Sequence, residues 1–537
     1  MRFEIAVGGF ALSFAAVLAA PIPALADSVP EQIVVTATRL PEDMDTVPAD
    51  ITVISGDDLR ARQVTDLRTA LAQVAGIESP PGGDAGPASA VPSIWGLHEF
   101  DAFLLVVDGV PWGGAFNPAI PSLDLNDVER IEVLKGSAPV IFGATSFVGV
   151  IQVIHRPAGQ AVSTVSVGGG THGSARGQVS VNLPNLGGFT QSLSLDGESL
   201  GYNDPRTGVS NGHALYRAAG QVGPGTLTID ADISFVRTLP SSPVIRQGTG
   251  LTTLTPLDAN YNPANAHINE NHYHAVVGYA MPVGAGTWQS TVSLAYSDIS
   301  DVRGFLRPDL TNDGSQNADS QQQDRHIVDL YADTHYAFQP TAGLDVVTGA
   351  DLLYGFARQE SINGAYYAPL NGSVVPPPTT SLHVDEINSV SDRRVFVGQY
   401  VQADWKLGPA VDINAGARLN ETDEHLVSRH IDGFDAVNDL AGDSSGSIVR
   451  GTAAVGASYA PLPDARRALV LYADFRDSFK PSAIDFGPDY TPNVLAPERA
   501  LSYEAGVRGR LADGVVRYGV EVFQLDFRNL EIGRAHV

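Results

Sequence analysis

Two histidines near the middle of the chain have the types and spacing that suit a metal ion or haem. In the segment AHINENHYHAV, His272 and His274 stand two residues apart, so a strand places both imidazoles on one face. Imidazole is a common metal ligand. Carboxylates that suit calcium occur in polar segments, but their spacing matches no compact calcium loop: Asp298, Asp301, Asp435, Asp439 and Asp443. For the histidines we favour ordinary loop and rim polarity, and we expect no bound metal or cofactor.

The composition excludes several classes of function. The chain has no cysteine, which excludes disulfides and thiolate chemistry. The HExxH and P-loop patterns are absent. A formal charge of −27 repels phosphate, which argues against a nucleic-acid partner. We therefore predict a protein that is not an enzyme and that binds no nucleic acid.

Residues 1–26 have the features of a secretory signal peptide. Arg2 precedes an apolar stretch, and Ala24-Leu25-Ala26 supplies the small residues of a cleavage site. We expect cleavage after Ala26 and a location in the cell envelope. No later segment has the length and apolarity of a membrane-spanning helix, so a role in a membrane requires a β-barrel.

The segment EQIVVTATRL, residues 31–40, predicts a single strand within a linker over 27–46. It is β-branched and apolar, and no neighbouring segment is suited to pair with it. An unpaired strand exposes backbone donors and acceptors to which a partner protein can add its own strand. The alternative is that this segment forms the first strand of the following domain.

Residues 47–160 have the pattern of a compact α+β domain. ADITVIS predicts a strand, after which Ser55 caps a short helix. A second helix is expected from about Thr65, with Gly76 as its stop signal. FLLVVDGV, DVERIEVLKG and VGVIQVIHR predict three further strands.

From residue 161 to 531 the pattern changes to alternating segments of about ten residues. Short connections near Asn185, Pro224, Ala285, Thr341, Pro409, Asp464 and Asp513 alternate with long polar ones at 237–272, 298–326, 356–392, 421–448 and 478–499. A transmembrane antiparallel β-barrel has short turns on one side and long loops on the other. We therefore predict about 15 barrel strands in this region. A soluble β-sandwich or β-solenoid does not require this alternation.

Several segments resemble those of the TonB-dependent outer-membrane receptors, in the same order. IVVTATR resembles the TonB box, which comprises Ile33, Val34, Val35, Thr36, Ala37, Thr38 and Arg39. VDGVP resembles the turn of the plug domain, with Asp108, Gly109 and Pro111. ERIEVLKGSAPVIFGATSFVGVIQVI resembles the plug signature, with Glu129, Arg130, Glu132, Lys135, Gly136, Phe142, Gly143 and Gly149. SFKPSAIDFGP and LAPERALSYEAGVRG resemble barrel segments.

The resemblance implies an α+β plug domain inside a transmembrane antiparallel barrel of about 22 strands. It implies active uptake of a scarce, large solute, with a ferric siderophore as the first expectation. TonB, together with ExbB and ExbD, would supply energy from the inner membrane of a Gram-negative cell. The protein would lie in the outer membrane, in contact with its lipid. Cobalamin or haem uptake by the same mechanism, a passive porin-like channel, and a barrel hydrolase with a Ser/His pair at its rim are the alternatives.

The resemblance also implies ion pairs that lock the plug to the barrel wall. Lys135 takes one basic position, and Asp477 and Glu504 take the acidic ones. At the other basic position, the family's Arg-Gly pair is Trp95-Gly96 in this chain. Because lysine lacks the bidentate fork of arginine, we expect a weaker lock, or one that uses Arg130 instead.

The last residues interrupt the strand pattern. About 15 strands are fewer than the resemblance implies, and Ile532 to Val537 resemble the translation of a sequencing adapter. We expect a C-terminally truncated gene, with residues 532–537 outside the native protein.

Overall fold

The chain folds into a small mixed sheet with two helices, followed by one large antiparallel sheet. The computed structural model describes residues 34–35, 42–43, 47–80, 91–97, 102–116, 120–123, 125–136, 140–143, 148–480, 486–487, 489–490, 492–512 and 515–529. The predicted signal peptide, most of the linker and the tail at 532–537 lie outside these residues.

The N-terminal domain is built on a five-stranded sheet. Its elements are β1 Val34–Val35, β2 Glu42–Asp43, β3 Ile51–Ser55, α1 Gly56–Ala61, α2 Leu67–Leu71, β4 Ile77–Glu78, β5 Ser93–Ile94, β6 Phe103–Val107, β7 Val110–Pro111, β8 Val128–Lys135 and β9 Gly149–His155. The sheet has the order β3-β8-β9-β6-β7, in which β6 and β9 run parallel and the other neighbours antiparallel. Short 3₁₀ turns occupy Ile120–Ser122 and Val140–Phe142.

Local capping explains where the two helices begin. The Ser55 side chain accepts a hydrogen bond from the Asp58 N–H at 3.1 Å, as the sequence predicts. Asp66 caps α2 through the Thr69 N–H at 2.8 Å. Both helices bury their leucines in a core shared with the sheet. Among the residues that the structure describes, no helix is both long and apolar enough to cross a membrane.

Within the described residues the large sheet has 15 strands, and each pairs with the next strand of the sheet along the chain. The elements of this region are β10 Thr164–Gly169, β11 Ala175–Leu186, β12 Phe189–Gly201, β13 Gly208–Val222, β14 Gly225–Leu239, β15 Arg246–Gln247, β16 Gly250–Leu251, β17 His267–Val283, β18 Gly286–Leu306, β19 Ala318–Thr341, β20 Leu344–Tyr366, β21 Glu386–Leu407, β22 Val411–Asp432, β23 Leu440–Tyr459, β24 Val470–Lys480, β25 Glu498–Leu511 and β26 Val516–Arg528. β15 and β16 form a separate two-stranded ladder within one connection. All ladders of the large sheet are antiparallel, and β10 and β26 form its edges. The predicted strand number is confirmed.

Alternate residues of the large sheet lie on opposite faces, and the exposed face is the apolar one. Along β14, Asp232 and Ser234 are buried, whereas the neighbouring Ile233 and Phe235 are 36% and 41% exposed. An antiparallel sheet of a soluble protein shows the opposite pattern, with apolar residues inside. Apolar residues outside and polar residues inside are typical of a lipid-facing barrel wall.

The strands are longer than the predicted segments of about ten residues. β19 has 24 residues, so much of the predicted loop at 298–326 is strand. Residues 318–325 read ADSQQQDR and are polar on both faces, which removes the alternation by which a strand is recognised. The backbone ladder between β18 and β19 nevertheless continues to the pair Leu306–Ala318. The short connections predicted near Pro224 and Ala285 are confirmed, because the flanking strands pair up to Val222–Gly225 and Val283–Gly286. The one predicted near Asp513 lies outside the described residues.

Replacement of Leu294 by arginine tests the assignment of the outer face. Leu294 is 53% exposed on β18, between Val292 and Tyr296, which are exposed on the same face. Arginine in the apolar band of a membrane barrel costs about 2–4 kcal/mol, so we expect Leu294→Arg to lower the free energy of unfolding in lipid vesicles by about that amount. Leu257→Arg, in a connecting loop, is the control and is expected to change it by less than about 0.5 kcal/mol. Equal losses for the two variants would contradict the assignment.

Candidate functional site

The predicted partner-binding strand is described in part. The backbones of Val34 and Val35 pair with Asp43 and Glu42, so the prediction of a wholly unpaired strand is wrong at these two residues. This pairing uses one edge of β1, and no strand among the described residues occupies its other edge. The remaining members of the segment lie outside the described residues: Ile33, Thr36, Ala37, Thr38 and Arg39.

The VDGVP segment forms the hairpin turn between β6 and β7. Asp108 and Gly109 have φ angles of 47° and 85°, as a two-residue turn of this type requires. Pro111 follows in β7, opposite Val106. The Asp108 carboxylate accepts a hydrogen bond from the His155 N–H at 2.9 Å and lies 2.8 Å from His155 Nδ1. These bonds tie the turn to the end of β9.

Two glycines of the predicted plug signature permit close approach between the N-terminal domain and the large sheet. A Cβ atom added to Gly136 would lie 1.8 Å from Glu504 Oε1, and one added to Gly143 would lie 2.9 Å from Arg418 Nη2. Both glycines also have positive φ, 90° and 81°. The close backbone approach that the sequence predicts is therefore present at both positions.

Phe142 and Gly149 serve the packing of the same region. Phe142 is buried in a cluster that includes Val347 and Tyr400 of the large sheet. Gly149 packs within the N-terminal domain, since a Cβ atom there would lie 2.8 Å from the Leu134 carbonyl oxygen. The signature thus combines contacts to the large sheet with contacts inside the domain.

The charged residues of β8 pair with one another. Arg130 Nη1 lies 2.6 Å from Glu129 Oε1, and Arg130 Nε lies 2.8 Å from Glu132 Oε1. Arg130 therefore uses its charge inside the N-terminal domain. The prediction that it substitutes for a missing lock residue is wrong.

The predicted lock between Lys135, Asp477 and Glu504 is also wrong in its pairing. Lys135 is buried and pairs with Asp50 of its own domain, and it donates a hydrogen bond to the Ala75 carbonyl at 2.8 Å.

The two predicted wall carboxylates also have other partners. Asp477 lies 3.2 Å from Arg450 and 3.0 Å from Arg499. The physical reason is the strand alternation of β24, which turns Asp477 to the face opposite its buried neighbours. Glu504 is buried beside Gly136 and accepts a hydrogen bond from Ser502 Oγ at 2.8 Å.

Trp95, where the family pattern has arginine, makes an aromatic contact instead of an ion pair. Its ring stacks on Phe523 of β26 with the centroids 4.1 Å apart and an interplanar angle of 8°. Offset aromatic pairs of this kind add stability beyond their buried area. Gly96 follows with a φ of 82°.

The turn after β7, at residues 112–116, is called the apex. The large sheet holds it through the backbone on both sides of Ala115. The Ala115 N–H donates to Asp329 Oδ1 at 2.9 Å, and Arg394 Nη1 donates to the Ala115 carbonyl at 3.3 Å. Arg394 also lies over the Phe116 ring, 5.4 Å from its centroid. Sequence reasoning missed these wall residues, although a charged residue between apolar neighbours on a barrel strand, such as Asp329, is the available signal.

A residue from the long connection between β24 and β25 also reaches the apex. The Phe486 ring meets Phe116 edge to face at 5.6 Å, and Arg325 covers the Phe486 ring at 4.6 Å. Arg325 Nη2 donates to the Phe486 carbonyl at 2.8 Å. The apex is therefore in contact with the strands and with a long loop.

His272 and His274 lie on one buried face of β17, as predicted, but they serve different contacts. His272 Nδ1 lies 2.8 Å from Ser297 Oγ, and its Nε2 lies 3.0 Å from Glu270 Oε2. His274 stacks on Trp112 of the N-terminal domain at 3.7 Å. Within the described part of the chain, no group of three or more histidine or carboxylate side chains is arranged to hold a metal ion.

A run that sequence reasoning overlooked, GDSSG at residues 442–446, matches the G-x-S-x-G spacing of serine hydrolases. In the structure it lies inside β23, whereas a nucleophile elbow is a strand-to-helix turn. The serine of this spacing is Ser444, which is opposite Leu426. His425 is opposite the next residue, Ser445, and lies 3.0 Å from Asp443 on an exposed strand face. The backbone N–H groups of β23 that face β22 are engaged in their ladder, so they are unavailable as an oxyanion hole.

Comparison with known families identifies this architecture. Residues 43–150 match the TonB-dependent receptor plug domain, and residues 185–531 match the family described as TonB dependent receptor-like, beta-barrel. The chain belongs to the TonB-dependent receptor family. The N-terminal domain is its plug, and the large sheet belongs to its barrel wall.

Curated relatives match part of the chain. The vitamin B12 transporter BtuB of Vibrio vulnificus (strain CMCP6) is 30% identical over 197 residues, which are 34% of this chain and 31% of that protein. The iron-regulated outer membrane virulence protein of Vibrio cholerae serotype O1 is 33% identical over 135 residues, 24% of this chain and 20% of that protein. The chain therefore aligns with less than a third of the length of these two relatives.

Solved structures share the fold over most of the chain. The ferric yersiniabactin uptake receptor FyuA from Yersinia pestis has a TM-score of 0.70 at 15% identity, covering 90% of this chain and 73% of that one. The ferripyoverdine receptor of the outer membrane of Pseudomonas aeruginosa has a TM-score of 0.71 at 17% identity, covering 92% and 65%. At these identities the likeness establishes the plug-and-barrel fold.

A matched pair of glycine variants separates the plug–wall contact from backbone strain. Gly136→Ala and Gly109→Ala both place a side chain at positive φ, which costs about 1–2 kcal/mol. Only Gly136→Ala also clashes with Glu504, since no described atom lies within 4 Å of a Cβ at Gly109. We expect Gly136→Ala to lower the free energy of unfolding by roughly 1–3 kcal/mol more than Gly109→Ala, as measured by urea denaturation. Equal losses would mean that the close approach at Glu504 contributes nothing.

Proposed function

We propose that this chain functions in TonB-dependent active uptake of a scarce, large solute across the outer membrane of a Gram-negative cell. The observation that carries the proposal is the position of the apex, held between wall residues Asp329 and Arg394 and touched by Phe486. A solute that reaches the apex and the loop together meets the part of the plug that must move. A passive porin needs no such plug.

The connections give the wall its orientation in this proposal. Short turns face the periplasm and long loops face outward, as in outer-membrane barrels generally. Phe486 belongs to a long connection, so the apex faces the side from which a solute arrives. The segment around β1 precedes the plug in the chain and serves as the periplasmic attachment point for TonB, which works with ExbB and ExbD.

TonB attachment in this proposal is strand addition to β1. The edge of β1 that does not face Glu42 and Asp43 has no strand beside it in the described residues. Backbone hydrogen bonds supply the affinity in such complexes, so the segment needs free N–H and C=O groups more than particular side chains. The pairing of β1 with β2 leaves one full edge for this purpose.

A ferric siderophore is the proposed solute, and cobalamin is the second candidate. The fold relatives FyuA and the ferripyoverdine receptor are named for ferric siderophores. The relative at 30% identity is named for vitamin B12, which is the specific observation favouring cobalamin. Both solutes are too large for passive pores, so the mechanism is the same for either.

Proline substitution in β1 tests the active mechanism. Consecutive N–H groups of a strand point to opposite edges, so Val34→Pro with Val35→Pro removes a donor from each. We expect this double variant to abolish energised uptake and to leave solute binding unchanged, because the binding surface lies at the other end of the plug. Val34→Thr with Val35→Thr keeps the backbone donors and is the control. Normal uptake by the proline variant would favour a passive channel.

Direct binding distinguishes the two solutes. The purified protein is expected to bind a ferric siderophore from a mixed panel at a lower concentration than cobalamin, as measured by quenching of tryptophan fluorescence. Tighter binding of cobalamin would identify cobalamin as the solute and would not change the proposed uptake mechanism. Binding of neither would contradict both assignments.

A further inference from the structure

We propose that Arg217 of the barrel wall is the positioning residue that holds the plug closed, through Asp108 and the backbone that follows β9. The lock implied by the family resemblance has basic residues on the plug and carboxylates on the wall. Here the polarity is reversed, with the arginine on the wall and the carboxylate on the plug. The inference rests on the proposed function only in assuming that the plug closes a passage.

The wall itself fixes the direction of the Arg217 side chain. Arg217 on β13 and Asp230 on β14 are directly opposite one another in the ladder. Arg217 Nε lies 2.9 Å from Asp230 Oδ1, and Nη2 lies 3.3 Å from Oδ2. This two-point contact orients the flat guanidinium, and the N–H groups on its other edges are directed at the plug.

Arg217 contacts the plug at two places that are far apart in sequence. Its Nη2 lies 3.4 Å from Asp108 Oδ2, in the turn that leads to the apex. Its Nη1 donates to the Arg156 carbonyl at 2.8 Å, where the chain leaves the plug for the wall. One side chain therefore links the turn, the exit of the plug and two wall strands.

Asp108 is fixed on the plug side as firmly as Arg217 is on the wall side. Its carboxylate bridges the N–H and the ring of His155, whose side chain is 5% exposed. The side chains of Arg217 and Asp108 are 11% and 23% exposed. Removal of either partner disturbs a largely buried charged group, which costs more than loss of an exposed pair.

The surrounding charges make the contact sensitive to pH. Burial alone would lower the pKa of His155, but the charge and hydrogen bond of Asp108 raise it above its ordinary value. Burial alone would raise the pKa of Asp108, but Arg217 and His155 lower it well below its usual range. Burial raises the pKa of Asp127, the remaining plug carboxyl beside His155. The charged groups around His155 are Asp108, Asp127, Asp230, Asp232 and Arg217, and Asp127 also interacts with Arg60 and Arg156.

The sign of the pH effect follows from the raised pKa of His155. The pKa of His155 is raised by Asp108 inside the plug, against an opposing effect of the Arg217 charge. The stabilisation from this pair is complete below about pH 6.5, the ordinary histidine value, and is lost as pH rises through the raised value. Ionised Asp108 stabilises the folded state at any pH above the ordinary pKa range of a carboxyl group. Because its own pKa is lowered, this stabilisation is lost only in strong acid. The plug turn that Arg217 contacts is therefore most stable in mildly acidic medium.

Passive entry of a large antibiotic into cells measures whether the plug closes the barrel. In cells without energised uptake, we expect Arg217→Gln and Asp108→Asn each to raise entry of a large glycopeptide antibiotic on the order of tenfold or more. The double variant should leak no more than the worse single variant, because both changes break the same contact. Arg217→Lys, which keeps the charge without the fork, should recover part of the loss. Arg393→Glu is the matched control, since it breaks an exposed Arg–Asp pair whose side chains are each 48% exposed.

Thiol labelling of the plug distinguishes leakage caused by release of the plug from leakage caused by a misassembled barrel. The chain has no cysteine, so Ser122→Cys introduces a unique thiol at a position that is 1% exposed. Labelling by a membrane-impermeant reagent should rise together with leakage when Arg217→Gln is added to the Ser122→Cys chain. In the chain that carries Ser122→Cys alone, labelling should rise as the pH rises. Addition of His155→Gln should make labelling independent of pH. If no Arg217 variant assembles, Asp108→Asn decides, because it leaves the wall pair with Asp230 intact. Unchanged leakage and labelling in an assembled variant would overturn the proposal, whatever the outcome for energised uptake.

Discussion

The separation of side chains onto two faces of the large sheet is the constraint on which the rest of the molecule depends. The antiparallel ladder fixes alternate residues to opposite faces, and a membrane accepts only apolar groups on one of them. Many charged residues of the large sheet lie on the inner face, where the plug and neighbouring strands supply their partners. Arg217, Asp329 and Arg394 are examples, since each is directed inward and each binds a plug group.

The resulting contacts occur at successive levels along the plug. Arg508 donates to the Ala49 carbonyl at 2.6 Å and to the Val47 carbonyl, at the first plug residues after the linker. Arg217 holds the turn at Asp108, and Asp329 with Arg394 holds the apex at Ala115. A force applied at β1 reaches these levels in that order along the chain. Most of the contacts are to backbone carbonyl and N–H groups, so they depend on the position of the plug more than on its side chains.

The sequence predicted the architecture well because its signals are local. Two-residue alternation, short turns and the capping by Ser55 each depend on neighbouring residues, and all three appear in the structure. The length of the strands was not predictable in the same way, because residues such as those at 318–325 are polar on both faces while their ladder continues. The lock was predicted from family positions, and it failed because the phase of β24 and the direction of Lys135 are tertiary features. Arg217 is 61 residues from Arg156 in the sequence and still farther from Asp108, so no local pattern reveals that they are in contact.

A reversible cross-link between the plug and the wall tests whether uptake requires the plug to move. A Cβ atom at Gly355 would lie 2.4 Å from Ala115 Cβ, so a small shift brings Ala115→Cys and Gly355→Cys within the roughly 3.5–4.5 Å of a disulfide. The chain has no other cysteine to interfere. We expect the oxidised double variant to bind solute without taking it up, reduction to restore uptake, and neither single variant to respond to oxidation. Unchanged uptake by the fully cross-linked protein would contradict this expectation.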